Sequence, residues 1–85
     1  MKELRILGLF LSDRLEEAHK VQGILTKFGC NIKTRLGLHE VLDGTCSTSG
    51  LIILELTGNT VELMKLENEL LKLDGLQVKK MIFSV

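Results

Sequence analysis

The sequence has no proline, tryptophan or tyrosine, and only three phenylalanines and two cysteines, Cys30 and Cys46, in 85 residues. Each shortage excludes something. A disulfide-stapled secreted scaffold of this length would carry more cysteines, so the two are expected as free thiols in a reducing, cytoplasmic setting. No apolar run approaches the roughly 20 residues of a membrane-spanning helix. The opening Met1-Lys2-Glu3-Leu4-Arg5 is charged and then strand-like, which does not read as a signal peptide. Charge of one sign is also missing: Lys plus Arg number 11, as do Asp plus Glu. A mild basic stripe remains in Lys33, Arg35, Lys79 and Lys80, so no direct nucleic-acid partner is expected. A neutral chain that is 45% hydrophobic is instead suited to specific self-association. The length gives one domain over residues 1–85, too small for a second core.

What is present alternates between two periods. Leu4 to Leu11 (LRILGLFL) is almost continuously apolar, short, and interrupted by Gly8, the pattern of a central strand. Ser12 and Asp13 supply N-cap oxygens, with Glu16 and Glu17 at the positive end of the helix that follows. Leu15, Ala18, Val21, Leu25 and Phe28 recur at helical spacing, Glu17, Lys20 and Lys27 take the solvated face, and Gly29 is placed to end the helix with a positive φ. From Asn31 to Leu42 the period becomes two: Ile32, Thr34, Leu36 and Leu38 share one face, and Lys33, Arg35, Gly37 and His39 the other. Asp43 to Gly50 (DGTCSTSG) reads as a loop, and Leu51 to Leu56 (LIILEL) as a second buried strand. A helix from Asn59 or Thr60 carries Leu63, Leu66, Leu70 and Leu73, widened by Met64 and Leu71, and Asp74-Gly75 closes it. Leu76 to Val85 is the last strand.

The order predicts an α+β fold of ferredoxin-like βαββαβ topology, a four-stranded antiparallel sheet with two helices on one face. Two helices leave the other face open, yet the first, third and fourth strands are apolar on both sides. In the first strand Leu4, Ile6 and Phe10 alternate with Leu7, Leu9 and Leu11. An uncovered patch of this kind marks an interface, most simply with another copy of the chain in a dimer or tetramer. The residues assigned to that interface are Leu7, Leu9, Leu11, Leu51 and Ile53.

Catalytic constellations are not seen: there is no nucleophile elbow, no phosphate-binding glycine loop and no HExxH helix, so a non-enzymatic protein without a resident cofactor is expected. His39 and Cys46 flank the second strand and the hydroxyl-rich loop, and their imidazole and thiolate suit a metal or redox role shared across subunits. The loop also gathers Ser47, Thr48 and Ser49, whose surroundings can offer backbone amides to an anion.

With the elements placed, the chain resembles an ACT-like domain. Three segments carry the likeness: ILGLFLSDR (Ile6 to Arg14), RLGLHE (Arg35 to Glu40) and GLIILELTG (Gly50 to Gly58). More narrowly, the chain is similar to small stand-alone regulators of the iron-only hydrogenase system. The resemblance implies an oligomeric regulatory unit that binds a small effector at a subunit interface through the turn after the first strand. Here that turn holds Ser12, Asp13 and Arg14, with Arg35, Ser47, Thr48 and Ser49 as further effector candidates. Nickel-responsive repressors carry a similar domain whose ligands surround the second strand, the neighbourhood of His39 and Cys46.

Overall fold

The computed structural model describes residues 3–11, 15–42 and 45–85, with the backbone alone for 15–16, 38–42 and 45–49. The elements are β1 (Glu3–Leu11), α1 (Leu15–Lys27), a 3₁₀ turn (Gly29–Asn31), β2 (Ile32–Leu42), β3 (Thr45–Leu56), α2 (Thr60–Leu71) and β4 (Leu76–Ser84). Sheet order is β2-β3-β1-β4, every neighbouring pair antiparallel. This is the expected βαββαβ arrangement. No helix among the described residues is long and apolar enough to cross a membrane.

One core forms between the sheet and both helices. Leu7, Leu9 and Leu11 from β1 and Leu54 and Leu56 from β3 meet Val21, Leu25 and Phe28 of α1 and its flank and Leu63, Leu66 and Leu70 of α2. The helical stripes are therefore those read from the spacing, although Met64 and Leu71 lie exposed outside the α2 stripe.

The interface assignment of Leu7, Leu9 and Leu11 is corrected. Leu7 and Leu9 are wholly buried and Leu11 is 6% exposed, all under the helices. The alternate set, Ile6, Gly8 and Phe10, takes the open face; with a glycine at its centre it offers less volume to fill the space beneath two helices. Leu51 and Ile53 do lie on the open face, opposite Phe10 and Gly8 respectively.

Smaller expectations change too. Glu17 is buried rather than solvated, with Oε1 3.4 Å from Lys20 Nζ. Gly29 does not take a positive φ; α1 leaves through the 3₁₀ turn, where Asn31 N–H donates to the Phe28 carbonyl at 2.8 Å. The ladder of β2 is irregular between Ile32 and Thr34, so Ile32 sides with the core while Thr34 and Leu36 face outward opposite Glu55 and Ile53. Adjacent residues of this bulge reach one carboxylate: Lys33 Nζ lies 3.8 Å from Glu55 Oε2, and Thr34 Oγ1 donates to Glu55 Oε1 at 3.0 Å.

The expected loop over Asp43 to Gly50 is mostly strand, since β3 starts at Thr45. Its threonines are β-branched and fit a pleated ribbon; Asp43 and Gly44 lie outside the described residues. Among the described residues β1 pairs with β3 from Gly50 onward, and Thr45 to Ser49 run on as a two-stranded ribbon with β2. The longest dimension of the molecule, 47 Å, fits this extension, a twelve-residue strand spanning about 40 Å at roughly 3.4 Å per residue.

Candidate functional site

The effector candidates divide into two groups. β1 ends at Leu11, which is the ladder partner of Gly50 at the base of the ribbon. Ser47, Thr48 and Ser49 lead along β3 into Gly50, so their backbone lies at the end of the sheet where β1 stops. Ser12, Asp13 and Arg14 lie outside the described residues, as do the side chains of Ser47, Thr48 and Ser49. Arg35 belongs elsewhere. It pairs with Leu54, four residues from Gly50 along β3, roughly 13 Å at about 3.3 Å per residue. Its Nη2 donates to Gln22 Oε1 on α1, which ties β2 to the helix.

His39 and Cys46 sit on opposite arms of the ribbon. His39 is in register with Gly50 and Cys46 with Val41, on either side of a second ladder irregularity. Their side chains lie outside the described residues. Among the described residues no group of three or more His, Cys, Asp or Glu is arranged to hold a metal ion. Cys30, in the 3₁₀ turn, is an exposed free thiol.

A second candidate escaped the sequence reading. At the opposite end of the sheet a cleft of 720 Å³ is lined by Glu3, Lys33, Glu55, Gly58, Asn59 and Thr60, with Leu4, Leu56 and Leu63. Its volume is in the range of small-molecule sites, and its lining mixes charged and apolar residues. The turn from β3 to α2 forms one wall. Asn31 clamps that turn twice: Thr57 N–H donates to the Asn31 carbonyl at 2.8 Å, and Asn31 Nδ2 donates to the Thr57 carbonyl at 3.1 Å. Gly58 then takes φ 117°, where a Cβ would stand 2.5 Å from Asn31 Nδ2. Asn59 caps α2, accepting from Glu62 N–H at 2.9 Å. The signal for this turn was in the sequence, as Thr57-Gly58-Asn59; what the sequence could not show was the clamp from Asn31, 26 residues away.

The open face is the third feature. The ladder sets Leu4 opposite Phe83, Ile6 opposite Met81, Gly8 opposite Ile53 and Phe10 opposite Leu51. Phe10, Leu36, Leu51, Met81 and Phe83 are all exposed, forming a contiguous apolar surface interrupted by Glu55 and Lys79.

No family model and no curated protein sequence matches the chain. Solved structures do. The uncharacterized protein TM1266 from Thermotoga maritima superposes with a TM-score of 0.82 at 23% identity, covering 98% of this chain and 100% of that one. The ACT domain of the GTP pyrophosphokinase of Chlorobium tepidum gives 0.66 at 24% identity, covering 92% and 96%. CPII, a nitrogen regulatory PII-like protein from Thiomonas intermedia K12, gives 0.65 at 12% identity in its apo form, covering 99% and 92%. Bound to ADP, AMP and bicarbonate it gives 0.55 at 13% identity, covering 99% and 96%. The ferredoxin-like sheet, its strand order and its two covering helices are thus the fold of ACT and PII-like domains.

Proposed function

We propose that the chain is a non-enzymatic, cytoplasmic regulatory module that binds a small effector and acts as an oligomer. The observation that carries this reading is the open, apolar sheet face on a fold shared with ACT and PII-like domains, one of which is described with bound ADP, AMP and bicarbonate. Self-association covers that face with Leu51, Ile53, Phe10, Ile6, Met81 and Phe83, the set that replaces Leu7, Leu9 and Leu11. Fully burying a large aliphatic or aromatic side chain contributes roughly 1.5–3 kcal/mol, and these residues are already partly covered, so the set must act together against an association cost of roughly 4–15 kcal/mol. The effector site is assigned to Ser12, Asp13 and Arg14, which follow Leu11 in the chain, with Ser47, Thr48 and Ser49, which lead into its ladder partner Gly50. The link to the iron-only hydrogenase system rests on the ILGLFLSDR, RLGLHE and GLIILELTG segments.

Sedimentation velocity at micromolar concentration, paired with thermal shift against panels of amino acids and nucleotides, tests the reading. An oligomer stabilised by at least one compound is expected, because a ligand that binds only the native state raises its stability. A strict monomer indifferent to every compound sinks it. The second reading, a metal or redox sensor using His39 and Cys46 across subunits, predicts metal in the purified protein and its loss in Cys46→Ser. Metal-free protein whose stability is unchanged by that substitution removes this reading.

A further inference from the structure

Helix α2 carries more apolar residues than its core stripe uses. Leu63, Leu66 and Leu70 are buried in the core, and Leu73 packs against it. Val61, Met64 and Leu71 are instead 64%, 52% and 56% exposed. With Asn68, also exposed, they form a second stripe at spacings of three, four and three. Each member stands two positions before a residue of the core stripe. Two residues turn an α-helix by about 200°, at roughly 3.6 residues per turn, so the second stripe faces nearly away from the sheet. Helices apolar on more than one side are ordinarily covered on each.

The flanks of α2 are already engaged and leave this stripe between them. On one side lies α1, where Lys27 Nζ is 2.9 Å from Glu69 Oε2. On the other, Glu67 turns toward the sheet, with Oε2 3.1 Å from Lys80 Nζ and Oε1 3.6 Å from Arg5 Nη1. The stripe has the spacing of a two-heptad seam, Val61 and Asn68 in one set of core positions and Met64 and Leu71 in the other. A single Asn at such a position fixes register and partner number in paired helices.

We propose that this seam pairs in parallel with the same seam of a second copy, joining the dimers that the open sheet face builds, and for those dimers it rests on the reading above. Symmetry is the reason for a second copy. In a parallel pair each seam residue meets itself, so Asn68 faces Asn68 and each amide offers the other a donor and an acceptor. Lys72 then flanks Glu67 of the other copy, five positions earlier, and Lys65 flanks Thr60. An antiparallel pair sets Asn68 against Met64, whose thioether is only a weak acceptor, and brings Lys65 beside Lys65 of the other copy. The seam is short, and three apolar side chains from each helix do little against the cost of joining two free chains. Between dimers it forms twice, which multiplies its effect. Two different self-complementary faces on one chain close at four copies where their two-fold axes are perpendicular.

The test is sedimentation velocity of the full chain from micromolar to submillimolar concentration, paired with cross-linking. Association beyond a dimer is expected. Leu71→Lys, at an exposed position outside the core, is expected to weaken that step at least ~10-fold while keeping the dimer and the unfolding temperature. Orientation is read in a Cys30→Ser/Cys46→Ser background. There Asn68→Cys is expected to form an intermolecular disulfide in glutathione buffer, because a residue facing its own copy can reach the Cα separation of about 4.4–6.8 Å that the bond requires. Glu62→Cys, one heptad before Glu69 on the α1 flank, is expected to form none. Assembly that stops at a dimer dissolved by Ile53→Lys, a higher step that survives Leu71→Lys, or no cross-link from Asn68→Cys overturns the seam and leaves the open-face reading in place. A strict monomer overturns both. Association abolished by Leu71→Lys and untouched by Ile53→Lys upholds the seam and overturns the open face.

Discussion

Leu9 and Phe10 are neighbours in sequence and occupy opposite worlds in the fold. Leu9 is wholly buried beneath the helices, while Phe10 is 39% exposed on the open side of the same strand. The contrast runs the length of the sheet. On the covered side, Leu7, Leu9, Leu54 and Leu66 lose all contact with solvent. On the open side, apolar residues of similar size keep about half of theirs, as in Met81 and Phe83, at 54% and 47%. Residue type is nearly the same on the two faces. What differs is whether an element of this chain happens to lie above.

Four substitutions break or sharpen that contrast. The largest effect is expected from Leu9→Ala, which removes a fully packed side chain and should destabilise by about 2–5 kcal/mol in urea unfolding. Next comes Gly58→Ala, which disturbs the turn that delivers α2 onto the covered face. The residue must hold a left-handed backbone costing roughly 1–2 kcal/mol, and its Cβ must also displace the Asn31 amide, so a loss above about 1 kcal/mol is expected by thermal or urea unfolding. Phe10→Ala should cost no more than about 1 kcal/mol at a concentration where the chain is monomeric, the range of strand propensity alone. Should it cost as much as Leu9→Ala there, the open face is already covered within one chain. Smallest for stability, yet decisive for assembly, is Ile53→Lys: unfolding of the isolated chain should change little, while sedimentation should show weaker self-association. Unaltered sedimentation would detach the open face from oligomer formation.

Much of the fold was legible in the sequence because its signals are local. Val21, Leu25 and Phe28, like Leu63, Leu66 and Leu70, are core residues by helical spacing and core residues in the structure. Asn59 caps α2, close to where its side chain and the following glutamate suggest. Gly75, read as closing the second helical segment, takes a positive φ of 78°. The errors are of another kind. The burial of Glu17 depends on what packs over it, and its charge argues the other way. The hydroxyl-rich stretch before Gly50 became strand because β2 was there to pair with it, whereas composition alone suggested a loop. Of the candidate site, the sequence supplied residue types and the topology supplied proximity: Leu11 meets Gly50, whereas Arg35 is drawn off to Gln22 on α1.

By itself the sequence determined the order of strands and helices, the apolar stripe of each helix and the fact that the sheet is apolar on both sides. These follow from period, caps and turn residues, which act over a few positions. Only the tertiary structure decided which side of β1 is the core, because alternation is symmetrical until two helices dock on one face. It also decided that Arg5 and Glu67 should meet there and that Asn31 should hold the turn at Gly58, since each joins segments whose approach no local pattern encodes.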